Sequence, residues 1–487
     1  MDLSTVYLLL TLLIFSLGLA LPSNNNTLLL LVSFDGFRYD YFNRNLTENL
    51  LNLKTNSSHS PYMLSVFPSK TFPNHFSIAT GLYTEVHGVL DNKIYDVSTN
   101  KSLGYGPELF HYNEDVVPIW ILNERGGGGR RSGCVMWPGC DLPYQHTLPS
   151  HYFTYNVSTS WESRVDTLIS WFTHPETPIN LGVMYFEQPD LTCHSYGPDS
   201  PEVDRQIARV DKIVQYLLDK AVEVDLLHRL NIVFVSDHGG QAVPVPSHNI
   251  NLDTYINRNL YIRGGVAPNL QIFPVPGKEE EVLSTLKDAQ SRGANFTAYT
   301  KAEMLDRWRY KHCNRSPPIL LCADLGYLFL DPDHQYPIKS PEIGNHGYDP
   351  LVPSMRAFFM AVGPEFKKNF SVQPFENINI YPLAAHILGL PLPTLKPNGS
   401  ISFLKDVLVS SKPDQDHNIF IYLVVGVIAG ALLVIFAIGV ILYWRKMHCK
   451  DQSRRPLDVA YRELSQTADG KEEETPLSDN QEDDPNS

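Results

Sequence analysis

Three stretches of the chain share one pattern, and it limits the fold more than any other feature. LLLLVSFDGF (28–37), INLGVMYFEQPD (179–190) and NIVFVSDHGG (231–240) are each a short run rich in Leu, Val, Ile and Phe that ends on a carboxylate. Apolar runs of this length, without alternation, suit strands covered on both faces, as in the interior of a parallel α/β sheet. Helical patterning lies between them. In SPEVDRQIARVDKIVQYLLDKAV, Ile207, Val210, Val214, Leu217, Leu218 and Ala221 recur at helical spacing, with Ser200 placed to cap and Pro201 at the first helical position. Ligands of an open α/β sheet bind beyond the carboxyl ends of its strands, so Asp35, Asp190, Asp237 and His238 are expected to converge there. A single strand-end acid more often caps the next helix. Three of them with an adjacent imidazole point to a metal site.

Two further apolar segments predict the compartment. VYLLLTLLIFSLGLA begins at Val6, ends in small residues at Gly18 and Ala20 and precedes Pro22, so residues 1–20 read as a signal peptide, although the usual basic start is missing. IFIYLVVGVIAGALLVIFAIGVILYW, residues 419–444, is long enough to span a hydrocarbon core of roughly 30 Å. Arg445, Lys446, Lys450, Arg454 and Arg455 follow it, which places the tail in the cytoplasm by the positive-inside rule. The expected chain is a single-pass type I membrane protein: an extracellular domain over 23–415, a transmembrane helix over 419–444 and an acidic tail over 445–487.

Nine Asn-x-Ser/Thr sites, at Asn25, Asn45, Asn56, Asn100, Asn156, Asn295, Asn314, Asn369 and Asn398, all precede the apolar span, as N-linked glycans on an outside domain require. The formal charge of −14 is concentrated late, since residues 451–487 hold eleven Asp/Glu against four Lys/Arg. No basic cluster marks the body of the chain, so a nucleic-acid polymer is not an expected partner. Of six cysteines, Cys449 would face the cytoplasm and the other five an oxidising compartment. Cys313 with Cys322 and Cys134 with Cys140 would close short loops and leave Cys193 over; Cys140 with Cys193 is an equal alternative.

The strand-end acids have companions. Asp190 and His194 stand four apart in PDLTCHSYGP, so one turn of chain offers an oxygen and a nitrogen to one cation. Asp237 and His238 do so as neighbours, and His346 in GNHGYDP is a further candidate. Mixed Asp/His sets suit zinc, and with Asp35 the supply is three ligands for each of two ions. Two cations roughly 4 Å apart are a common device for displacement at a phosphate ester, which then needs a nucleophile. SKTFPNHFSIATGL reads as a turn into a helix whose N-terminus would bind phosphate, but spacing does not choose between Ser69 and Thr71.

VSFDGFR, KTFPNHFSIATGLY, HGVLDNKIYD, MWPGCDLP, EQPDLTCHSYGPDSP, SDHGG and NHGYD resemble, in this order, the catalytic domain of the ecto-nucleotide pyrophosphatase/phosphodiesterases of the alkaline phosphatase superfamily. The likeness covers about residues 28–400. Chain length and the single C-terminal span look most like family members 4 and 5. The resemblance implies an alkaline-phosphatase-like α/β fold, a central mostly parallel sheet flanked by helices. It implies two Zn2+ ions, one held by Asp35, Thr71, Asp237 and His238, the other by Asp190, His194 and His346. Thr71 would be the nucleophile, and Asn92 would donate to the phosphate oxygen where charge develops. Phe72 and Tyr155 would sandwich a base, with Trp137, Asp141 and Tyr185 at further pocket positions.

The implied activity is hydrolysis of phosphodiester or pyrophosphate bonds of extracellular nucleotides and dinucleotides, through a nucleotidyl-threonine, to nucleoside 5′-monophosphates. Three residues depart from the family pattern: Cys193 where Gly is common, Gly240 where Met follows Asp-His-Gly, and Cys140 where Thr is usual. Two rival readings remain, a phosphodiesterase of choline phospholipids and a catalytically weak surface recognition glycoprotein. YREL at 461–464 has the form of a sorting signal within an otherwise disordered-looking tail.

Overall fold

The computed structural model describes residues 26–330, 337–409 and 415–452. The signal-peptide segment, Asn25 and the tail from 453 onward, with YREL, lie outside the described residues. Eight strands form the main sheet: β1 (Leu28–Phe34), β2 (Ser58–His59), β3 (Ser132–Val135), β4 (His151–Phe153), β5 (Leu181–Phe186), β6 (Leu230–Val235), β7 (Phe359–Val362) and β8 (Phe370–Ser371). Their spatial order is β8-β2-β7-β6-β1-β5-β3-β4. Every pairing from β6 through β1, β5 and β3 to β4 is parallel, and β7 runs antiparallel beside β6.

The helices that matter for the site are α1 (Thr71–Thr80), α2 (Trp161–Phe172), α3 (Asp190–Tyr196), α4 (Pro201–Glu223), α5 (Glu279–Ser291) and α6 (Ile380–Leu388). Successive strand residues point to opposite faces. Leu29 and Leu31 pack with α1 and α6 on one side, and Leu30, Val32 and Phe34 with α2 and α4 on the other. That two-sided cover is why these strands read as unbroken apolar runs. In α4 the Ser200 side chain accepts from the Val203 amide, as the capping pattern predicts.

Between Asp237-His238 and His346 the chain builds a second lobe. Its four antiparallel strands lie in the order Tyr261–Gly264, Asn269–Pro274, Ile319–Ala323, Phe296–Thr300 and are packed against α5 around Leu270, Ile272, Leu286, Phe296 and Leu321. Cys134 and Cys140 are disulfide-bonded, which excludes the Cys140–Cys193 alternative; Cys193, Cys313 and Cys322 are unbonded, so the Cys313–Cys322 loop closure is absent.

The chain divides into two compact units at Ser410/Ser411. The second contains α7 (Gln415–Gln452), in which Ile428–Met447, with mean hydropathy 2.1, is long and apolar enough to cross a membrane.

Candidate active site

Because β6, β1 and β5 are neighbours, their carboxyl ends lie side by side. Asp35 follows β1, Asp237 and His238 follow β6, and Asp190 opens α3 just beyond β5. Gly36 permits the close approach: it sits at φ +66°, and a Cβ there would stand 2.7 Å from the Asp190 Cβ. Two clusters result, Asp35 with Asp237 and His238, and Asp190 with His194 and His346. Within each, the ligand-type atoms lie within 4.8 Å of one another, and all six residues are buried. The clusters adjoin, since the rings of His238 and His346 stack with centroids 3.6 Å apart.

Hydrogen bonding fixes which atoms face inward. A carbonyl only accepts, so a ring nitrogen bonded to one must carry the proton. Nδ1 of His238 donates to the Gly239 carbonyl (2.8 Å), Nδ1 of His194 to Gly344 (3.1 Å) and Nδ1 of His346 to Ser69 (2.8 Å). In its neutral form each ring would therefore present an Nε2 lone pair. Those of His194 and His346 lie 3.2 Å apart, and that of His238 lies 3.0 Å from Asp237 Oδ2 and 3.4 Å from Asp35 Oδ1. The carboxylates are aimed likewise. Tyr185 donates to Asp35 Oδ2 (2.6 Å), and the amides of Gly36 and His238 donate to Asp237 Oδ1 (3.1 and 2.9 Å). Asp35 Oδ1, Asp237 Oδ2 and His238 Nε2 are left buried without a hydrogen-bond partner among the described residues.

Such converging lone pairs repel unless a cation sits among them. Burial, then the charges of Asp237 and Asp190, push the Asp35 carboxyl well above its usual range. Burial would raise Asp190 too, but His194 and His346 outweigh it and carry its pKa far down. An oxygen- and nitrogen-donor set of this kind fits a divalent cation in each cluster.

Thr71 is the first residue of α1, and the preceding residue, Lys70, makes no side-chain cap to the helix. Of the two candidate hydroxyls, both on buried residues, Ser69 Oγ donates to the Tyr348 carbonyl (3.0 Å). Asn92 reaches the same helix end, where its Oδ1 accepts from the Phe72 amide (2.8 Å) and its NH2 group is left for another acceptor. Tyr155 is 53% exposed and tilts against Tyr185, ring centroids 6.2 Å apart. Trp137 is 1% exposed and donates from Nε1 to the His75 carbonyl (3.3 Å), so it braces α1 from behind. Asp141 accepts from the Tyr105 hydroxyl, and the Tyr105 ring stands edge-on to Phe72 at 5.5 Å.

Sequence reasoning passed over Tyr105 and His75. His75 is buried between Ser33 (2.8 Å), the Thr71 carbonyl (2.9 Å) and Asp237 Oδ2 (3.4 Å). Its position one turn after Thr71 on α1 was the available signal. Two departures also find reasons. Cys140 is bonded to Cys134, and the Cys193 sulfur fills space beside two glycines: a Cβ would meet it at 3.1 Å from Gly240 and 2.1 Å from Gly344.

Comparison with known proteins agrees with this geometry. The family model for type I phosphodiesterase / nucleotide pyrophosphatase matches residues 29–349. Human ectonucleotide pyrophosphatase/phosphodiesterase family member 5 is 38% identical over 393 residues, 79% of this chain and 78% of its own. Human bis(5′-adenosyl)-triphosphatase ENPP4 is 36% identical over 385 residues, 78% of this chain and 82% of its own. The structure of murine ENPP5, in an inactive Thr-to-Ala form in complex with AMP, superposes with a TM-score of 0.72 at 36% identity, covering 79% of this chain and all of that one. With an alkaline-phosphatase-like sheet, two Asp/His clusters at its carboxyl edge and a family match across two thirds of its length, the chain belongs to the type I phosphodiesterase / nucleotide pyrophosphatase family.

Proposed function

We propose that the protein is an extracellular hydrolase that cleaves phosphodiester or pyrophosphate bonds of nucleotides and dinucleotides and releases nucleoside 5′-monophosphates. The observation that carries this reading is the convergence of buried polar atoms without hydrogen-bond partners at Asp35, Asp237 and His238, in the fold that also sets Thr71 at the N-terminus of α1. Asp35, Asp237, His238 and Thr71 would hold one zinc ion, and Asp190, His194 and His346 the other. Bound there, the ions supply Lewis-acid charge to the phosphate and lower the pKa of a neighbouring hydroxyl or water. Thr71 Oγ1 attacks phosphorus, and the bond to the leaving phosphate or alcohol breaks as the new one forms. The Asn92 amide donates to the phosphoryl oxygen on which charge accumulates. Water then cleaves the nucleotidyl-threonine, freeing Thr71 and the monophosphate.

Phe72 and Tyr155 hold the base, Tyr185 and Asp141 border it, and Trp137 acts through α1. A nucleotide substrate is supported by the relatives, one named a bis(5′-adenosyl)-triphosphatase and one solved with AMP. A type I membrane protein with its catalytic domain outside is supported by the apolar segment of α7. All eight sequon asparagines among the described residues reach solvent, seven of them exposed and Asn295 partly so, which supports N-linked glycosylation.

The test is hydrolysis of a nucleoside 5′-monophosphate nitrophenyl ester, beside a choline phosphoryl ester, by the full-length protein with and without chelator. Turnover of the nucleotide ester that chelation abolishes, and that Thr71→Ala lowers by at least about 10³-fold, is the expected result. Preference for the choline ester would move the protein to lipid substrates. Bound zinc without turnover would favour the recognition reading.

A further inference from the structure

The Asn92 amide can stabilise charge only if it is held in place against Thr71, and the residues that hold it form a closed circuit. Asn92 Oδ1 accepts from the Phe72 amide (2.8 Å), and the Asn92 backbone amide donates to Asp91 Oδ1 (2.6 Å). The other carboxylate oxygen, Asp91 Oδ2, accepts from the Val266 amide (3.1 Å). One residue along, the Ala267 carbonyl accepts from Lys70 Nζ (2.5 Å), and Lys70 immediately precedes Thr71 and Phe72. The loop then ends where it began.

Val266 and Ala267 belong to the second lobe, at the entry to its strand Asn269–Pro274. That strand is fastened to the metal-ligand loop as well, since Asn269 donates to the Gly347 carbonyl beside His346 (2.6 Å). Asp91 and Lys70 are each 2% exposed. Buried charges are a costly way to hold a loop, and a neutral or apolar contact of similar volume usually serves stability as well. Their placement, one residue before the amide donor and one before the hydroxyl, is what a positional role requires.

We propose that Asp91 and Lys70 are positioning residues: by gripping the Val266–Ala267 backbone of the second lobe, they set the Asn92 side-chain amide against the Thr71 hydroxyl. The lobe is then a strut of the catalytic centre. This rests on the reading of Thr71 and Asn92 given above.

A mutant cycle on the full-length protein tests it, with kcat and KM measured on the nitrophenyl ester. Asp91→Ala lowers kcat about 10- to 100-fold, the scale of a misplaced catalytic group, with KM changed less than about 3-fold. In an Asn92→Ala background, itself slowed roughly 10²-fold, the same change lowers kcat no further, because the amide it positioned is gone. Lys70→Met behaves in the same way. Asp91→Asn, which keeps one acceptor, gives an intermediate kcat and serves where Asp91→Ala does not fold. Equal losses in both backgrounds, or an Asp91 variant with wild-type kcat, overturn the inference while leaving the activity intact. A wild-type chain that turns over neither the nucleotide nor the choline ester removes the underlying reading, and this inference with it.

Discussion

The two ends of the central strands treat buried polar groups in opposite ways. At the amino ends, amides close on one another. Asn123 and Asn180 exchange side-chain hydrogen bonds (3.0 and 2.9 Å), and the Arg131 amide donates to Asn180 Oδ1 (2.9 Å). Asn231 donates to the Leu28 carbonyl (3.1 Å) and accepts from the Glu365 amide (3.0 Å). At the carboxyl ends, three charged or titratable residues leave Asp35 Oδ1, Asp237 Oδ2 and His238 Nε2 unmatched. An unmatched buried polar atom costs about 1–3 kcal/mol, so a fold retains three together only where something from outside completes them. One end holds the sheet; the other presents two clusters that could hold a metal ion.

Altering charge at each end has opposite consequences. Asp35→Asn is expected to lower kcat/KM by about 10³-fold, as loss of a charge-stabilising group does. It should nevertheless raise the melting temperature of the metal-stripped protein. Burial beside Asp237 and Asp190 makes the ionised Asp35 unfavourable in the fold, and an amide there could donate to His238 Nε2. Turnover together with melting in chelator decides it: a stripped variant that melts lower would make Asp35 a structural residue. Asn180→Asp should do the reverse. It removes the donor to Asn123 and buries a charge, at a cost on the order of 3 kcal/mol, with kcat unchanged. Loss of turnover without loss of stability would place function at the amino end as well.

A smaller effect sharpens the boundary of the ligand end. Gly240→Met drives a side chain into the Cys193 sulfur, and Cys193→Gly leaves a void; each should cost about 1–3 kcal/mol. The double variant should cost less than the sum, read from denaturant midpoints. Strict additivity would mean that the sulfur and the glycines are not packed as one unit.

What was legible in the sequence follows the same division. Strands covered on both faces write themselves as apolar runs, so β1, β5 and β6 and the acids that end them could be read directly. Ser200 and Pro201 marked the start of α4 as plainly. The second lobe could not be read in this way. Its strands YIRG and FTAYT mix buried with partly or fully exposed residues and are too short to carry a clear period. Asp91, Lys70 and Tyr105 were missed because their meaning lies in partners distant in sequence, at Val266, Ala267 and Asp141. Cys193 looked like an isolated departure for the same reason, its sulfur packing beside Gly240 and Gly344, whereas the Cys134–Cys140 bond was one of the two pairings the sequence left open. Spacing did not separate Thr71 from Ser69; the resemblance did, and the Ser69 hydroxyl is committed to the Tyr348 carbonyl.

His87 is the satisfied counterpart of His238. Its Nδ1 accepts from the Val89 amide (3.1 Å), so its proton is on Nε2, which donates to Ser77 Oγ (2.9 Å). A second proton would set one N–H against another in a buried place, and burial pushes the pKa down to about 3. The unfolded chain takes up this proton below about pH 6.5, whereas the folded one does not until near 3. Stability from His87 is therefore full above pH 6.5 and declines as pH falls toward 3, by at most about 1.4 kcal/mol per pH unit. His87→Asn offers an acceptor to Val89 and cannot titrate. Its stability should fall less steeply than the wild type's between pH 6 and 4, by up to one proton in denaturation measured across that range. An unchanged slope would mean that the matched histidine is not the one that resists acid.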